Sequence, residues 1–162
     1  MDLEARLHAD HGEELRLWLR MLTCTQLIEQ RVRSRLREQF ETTLPRFDLM
    51  AQLERVPQGL KMNELSRRLM VTGGNVTGIT DQLEAEGMVQ RVPVQGDRRA
   101  LLIRLTSTGR KAFAEMAHQH EVWIAEALGG LSPREVDTLY TLLGKLKQHV
   151  ARVQNESIGE SA

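Results

Sequence analysis

The sequence predicts a mainly α protein of the α+β class, in which one short antiparallel hairpin interrupts a series of helices. Three observations predict it. Apolar residues recur at three- and four-residue spacing over most of the 162 residues, the mark of helices with one buried face. Only one run alternates, where Leu101, Ile103 and Leu105 are separated by Leu102 and Arg104. Aromatic residues make up 4% of the chain, so the core must be largely aliphatic, as in helical proteins.

The elements follow in order. Residues 1–12 are polar and aperiodic, and a flexible start is expected there. From Glu13 to about Phe40 the pattern is helical, with Leu15, Trp18, Leu19, Leu22, Leu27, Ile28, Val32 and Leu36 on overlapping faces. Too many faces are apolar for a lone surface helix, so a partner must cover some of them. Arg31, Arg33, Arg35 and Arg37 occupy alternate positions and scatter around this helix; they suit solvation or ion pairing, with a DNA backbone or an anionic ligand as the sharper option. Thr42-Thr43-Leu44-Pro45 ends that helix and starts the next, since proline is tolerated in a first turn. Phe47, Met50, Ala51 and Leu53 should form its buried face, and Pro57-Gln58-Gly59 should end it.

A short helix opens near Lys61. A second opens at Val71-Thr72-Gly73-Gly74-Asn75-Val76, with Thr72 as N-cap and Val71 and Val76 placed for a hydrophobic staple. Val76, Ile79 and Leu83 mark its buried face, while Thr72, Asn75, Thr77, Thr80 and Asp81 should form a polar one; Gly87 suits a C-cap. Val89–Val94 and Ala100–Leu105 then read as strands joined by Gln95-Gly96-Asp97-Arg98-Arg99, with Pro93 confining the first to an edge. Helix, turn, helix and hairpin in this order make a winged helix-turn-helix with a two-stranded wing. Its second helix is of a size to enter a major groove, and its hairpin tip to reach an adjacent minor groove.

After the wing, Thr106 to Leu128 is a long helix with Phe113, Met116, His120, Trp123 and Ala127 on one stripe, stopped by Gly129-Gly130. Ser132, Pro133 and Glu135 spell N-cap, N1 and capping box. Val136, Leu139, Leu143, Leu146, Val150 and Val153 then recur at coiled-coil-like spacing. That seam is longer than the winged segment needs. The first and last helices are therefore expected to build a two-fold homodimer. The expected organisation is a flexible start at 1–12, a helical dimerisation region at 13–41 and 107–154, a DNA-binding domain at 42–106, and a disordered tail at 155–162.

The chain resembles the MarR-type transcriptional regulators from about Glu13 to Val153. The resemblance is carried by Asn63-Glu64-Leu65-Ser66-Arg67-Arg68-Leu69, by Val76 to Arg91, and above all by Asp97-Arg98-Arg99-Ala100 leading through Leu105-Thr106 to Gly109. The resemblance implies that Arg98 enters a minor groove while Asp97 orients one of the two arginines. It also implies a small-molecule effector bound between the dimer helices and the winged domain. Leu-Arg-Leu-Trp-Leu-Arg at 15–20 and Leu-Pro-Arg-Phe-Asp-Leu-Met at 44–50 are similar to the branch controlling aromatic-acid and hydroxycinnamate breakdown. Residues expected to line the effector site are Arg16, Leu19, Arg20, Thr23, Arg46, Met50, Met116, His120 and Trp123, with an aromatic carboxylate or its coenzyme A thioester as ligand. The chain departs from the family at Gly78 and Gln82, where members often carry Arg, and at Lys61, where a hydroxyl residue usually caps the helix.

Charge agrees with a DNA partner only when its distribution is read. The chain is neutral overall, but residues 61–111 hold nine Lys/Arg against five Asp/Glu. From Met70 to Gln90 there is no Lys or Arg, so the electrostatics must come from Arg67 and Arg68 before that stretch and Arg91, Arg98, Arg99 and Arg104 after it. Gly73 and Gly74 would let helix-end amides approach a phosphate, Asn75 would read adenine, and Thr77 or Thr80 a thymine methyl.

No apolar run approaches the ~20 residues that cross a bilayer, no signal segment opens the chain, and a single cysteine makes no internal disulfide; a cytoplasmic location is expected. No phosphate loop, metal-ligand cluster or nucleophile motif is present, so neither an enzyme nor a cofactor is expected. Rival readings are redox sensing through Cys24, metal sensing by His118 and His120, and a winged-helix protein-interaction module without DNA binding.

Overall fold

The computed structural model describes residues 12–69 and 73–159, without the side chains of residues 73, 74, 98 and 156–159. Eight elements follow one another: α1 (Glu13–Phe40), α2 (Leu44–Glu54), α3 (Met62–Leu69), α4 (Gly73–Ala85), β1 (Val89–Val94), β2 (Asp97–Leu105), α5 (Ser107–Leu128) and α6 (Pro133–Gly159). The chain divides into two compact units, Met1–Trp123 and Ile124–Ala162. The N-terminal stretch expected to be flexible lies, apart from Gly12, outside the described residues, as do Val71 and the Thr72 cap.

In the first unit the aliphatic pattern becomes one core. Leu36, Leu49, Met50, Leu53, Leu65, Val76, Leu83, Val89, Ile103 and Leu105 are all buried, each Leu contributing about 1.5–3 kcal/mol by leaving water. One position in α2 differs from expectation: Leu49 is buried and Ala51 only half-buried, because Leu49 shares a face with Leu53 four residues on. Local chemistry sets the helix starts. Thr43 accepts from the Arg46 amide ahead of Pro45, and Glu64 reaches back to the Lys61 amide at 3.0 Å, so α3 is capped from inside without a hydroxyl residue.

The sheet is a hairpin, β1 antiparallel to β2, with Val89 opposite Leu105 and Pro93 opposite Leu101. Leu60 bridges Ile103 on the other edge of β2, so Pro93 sits on the outer strand, where its missing N–H costs nothing. The loop is shorter than the sequence suggests. Val94 pairs with Asp97, leaving Gln95-Gly96 as the turn, and the register slips between Pro93 and Val94 so that Arg98 to Ala100 bulge from β2.

In the second unit, Ser132 and Glu135 form the expected capping box at 2.7–3.4 Å, and Ser132 holds the Glu135 carboxyl below its usual pKa. The helix runs to Gly159, past Asn155 where the sequence reading ends it, since no proline or glycine interrupts 145–158. Its six seam residues, Val136 to Val153, are each 37–48% exposed.

The junction of α5 with the hairpin is close-packed main chain. A Cβ on Gly109 would lie 1.9 Å from the Met88 carbonyl oxygen. Gly109→Ala is therefore expected to lower stability by about 2–3 kcal/mol through forced backbone displacement, read as a lower urea midpoint. An unchanged midpoint would show that this approach does not exist.

Candidate nucleic-acid interface

The exposed side of α4 presents Asn75, Thr77, Gly78, Asp81 and Gln82. Thr80 does not belong with them. It is fully buried, its hydroxyl donating to the Val76 carbonyl at 2.8 Å, and it cannot reach a thymine methyl. The reason is geometric: Thr80 stands four residues after Val76 and three before Leu83, on the packed face. Gly73 and Gly74 open the helix as expected. Arg67 and Arg68 are exposed in the last turn of α3.

α4 ends in a Schellman motif. Gly87, at φ 74°, donates to Glu84 and Met88 donates to Leu83, each at 2.9 Å. The chain turns straight into β1, where Arg91 folds back on the helix. Its guanidinium pairs with both Asp81 and Glu84, and its amide donates to Glu84 at 3.2 Å. Asp81 foremost, and Glu84 with it, raise the Arg91 pKa further. Arg91 thus joins hairpin and helix, and the charge that the sequence reading counted toward the flanking electrostatics is shared with Asp81 and Glu84.

At the tip, Gly96 takes φ 87°, and Asp97 Oδ1 accepts from the Arg99 amide at 3.0 Å. Asp97 therefore braces the main chain that carries Arg98 and Arg99; the Arg98 side chain lies outside the described residues. Asp97 and Arg99 are exposed. A helix face without Lys or Arg is accordingly flanked by cations on α3 and on the wing.

Among the described residues, some of those expected to line an effector site border two separate openings. Arg46, Met50 and Met116 border a cavity of about 140 Å³ between α2, the end of α4 and α5, whereas Arg16 and Arg20 border a separate groove along α1. Leu19 and Thr23 are half-buried. Trp123 is buried against Phe40, ring centroids 6.2 Å apart, and His120 lies 5.0 Å from the Phe47 ring. The sequence reading missed Phe40, Leu83, Glu86, Met88 and Glu115 on the cavity wall. Glu86 matters most: it forms a two-pronged ion pair with Arg46, which holds its carboxyl below the usual range. Arg46 Nε is buried with no partner among the described residues. Cys24 is exposed, and no His/Cys/Asp/Glu cluster of metal-binding geometry occurs among the described residues.

The Arg91 network generates a test. Arg91→Ala is expected to cost about 1 kcal/mol, limited by the solvent exposure of both carboxylates, and to speed amide exchange in β1. Unaltered β1 exchange would contradict a fastening role.

Comparison with known proteins agrees with this geometry. A family model described as MarR family matches residues 41–100. The transcriptional activatory protein BadR of Rhodopseudomonas palustris is 31% identical over 160 residues, covering 95% of this chain and 90% of BadR. A MarR family transcriptional regulator from Silicibacter pomeroyi superposes with a TM-score of 0.68 at 31% identity, covering 88% of this chain and 99% of that one. A mutant MarR from E.coli complexed with operator DNA gives 0.70 at 26% identity, covering 83% and 95%. These relatives are regulators rather than enzymes, and among the described residues no helix is long and apolar enough to cross a membrane. The chain belongs to the MarR family of DNA-binding transcriptional regulators.

Proposed function

We propose that this regulator is a cytoplasmic homodimeric repressor, which grips a pseudo-palindromic operator through paired α4 helices and wings and is released by a small aromatic acid or its coenzyme A thioester. The observation that carries the DNA half is the open polar face of α4 between the exposed Arg67 and Arg68 and the Asp97-braced tip. The dimer half is supported by uncovered apolar surface: the α6 seam, and Leu15, Leu17, Trp18 and Leu27 on α1, at 40–62% exposure. A folded chain leaves that much aliphatic surface for a partner. A two-fold dimer places half-sites about 10 bp apart.

The effector half is supported by the cavity beside Arg46. Its apolar wall of Phe40, Met50, Leu83, Met88 and Met116 suits an aryl ring, and a guanidinium at the edge suits a carboxylate. BadR, the relative similar over 95% of this chain, is named as an activator; a reporter gene distinguishes the two signs, since an aromatic acid raises output from a repressed promoter and lowers it from an activated one. Exposure of Cys24 favours redox control as the second reading; peroxide would then abolish DNA binding in the wild type and not in Cys24→Ser.

Two outcomes follow from the first reading. Arg98→Ala should weaken binding to a duplex selected from a random pool by at least tenfold, with sedimentation still showing a dimer; undiminished affinity removes the wing from the mechanism. Glu86→Gln removes the carboxylate that competes for Arg46, so benzoate should raise the melting temperature more in the variant than in the wild type. An equal or smaller rise would place the ligand elsewhere.

A further inference from the structure

We infer that Arg33 and Arg37, outside the winged domain, grip the DNA backbone at a second place and supply the cations that α4 lacks; this rests on the DNA-binding reading. The two arginines are one turn apart on a single face of α1. They border a cleft of about 400 Å³ whose other walls are the start of α2 at Thr43 and the Asn75, Ile79 and Gln82 side of α4. The cleft thus joins an arginine pair, the positive end of α2 and the polar face of the groove-reading helix.

A helix seated in a major groove about 12 Å wide has a phosphate backbone along each flank. α4 itself offers those phosphates no Lys or Arg from Gly73 to Ala85. On the flank that the cleft occupies, the arginines bordering the opening are Arg33 and Arg37. Arg33 pairs with Glu29 at 3.3 Å, and both side chains are more than half exposed. Such a pair is weak and screened, so a phosphate would displace the carboxylate and bind the guanidinium by the stronger charge-assisted geometry.

The test is duplex affinity as a function of salt, using the full-length protein and a duplex selected by the wild type. Both arginines are exposed, so Arg33→Ala/Arg37→Ala should fold normally. Its affinity should fall roughly 10- to 100-fold at 100 mM salt, and the slope of log K against log salt should become shallower by about 0.9 for each phosphate that is no longer neutralised. Glu29→Gln, which removes the ion-pair partner of Arg33, should bind more tightly than the wild type. Unchanged affinity overturns the inference, and so does a weaker affinity with an unchanged slope, because phosphate neutralisation must appear in the slope. If the wild type binds no duplex even in dilute buffer, the DNA-binding reading fails first and this inference falls with it.

Discussion

The peptide at Met88 is the tie on which the DNA-facing geometry depends. Its amide donates to the Leu83 carbonyl and so closes α4, while its carbonyl accepts from the Thr106 amide at 3.0 Å, where β2 gives way to α5. The Thr106 hydroxyl lies within 2.6 Å of the Gly87 carbonyl oxygen and accepts from the Gly109 amide, capping α5 at the same point. The bare Cα of Gly109 lets all this main chain converge. Helix, hairpin base and following helix therefore share one junction, and hydrogen bonds converging on Gly87 and Met88 help set the direction of the wing relative to the exposed face of α4. Arg91 adds a second fastening two to three residues further along the strand.

The same junction neighbours the candidate ligand cavity. Glu86, one residue before Gly87, is bound to Arg46 of α2, and Leu83 and Met88 line the cavity wall. A group that drew Arg46 away from Glu86 would act directly on the joint that orients the wing. The pair also has a defined pH signature. Because Arg46 holds the folded-state pKa of Glu86 below its unfolded value, its stabilisation is fully present above the unfolded carboxylate pKa and is lost as pH falls through the folded one.

What could be read from the sequence was what short-range chemistry decides. Thr43 before Pro45, Ser132 with Glu135, and Gly87 after Ala85 each act within a few residues, and the helix limits follow from them. The order of helices and hairpin followed from periodicity together with these proline, glycine and capping signals. Thr80 was illegible because its polarity suggests water, while its hydroxyl is satisfied by its own helix four residues back and its methyl can then be buried. Arg91 was counted among the flanking cations without its ion pairs, because its partners on α4 come within reach only once the hairpin folds back. Arg46 and Glu86 are 40 residues apart, and no local pattern announces that they meet. The start of β2 was misplaced because a bulge absorbs Arg98 to Ala100 within the strand.

The most direct test of the account is amide hydrogen exchange on the protein with and without a duplex that it selects. Bound DNA should slow exchange across the first turns of α4 and at the hairpin tip around Gly96 to Arg99. The Met88 and Thr106 amides, already bonded in the free protein, should change little. Slowed exchange at Met88 and Thr106 with none at the tip would mean that the junction forms only on binding and that the wing does not reach DNA, which contradicts a preset α4–wing unit.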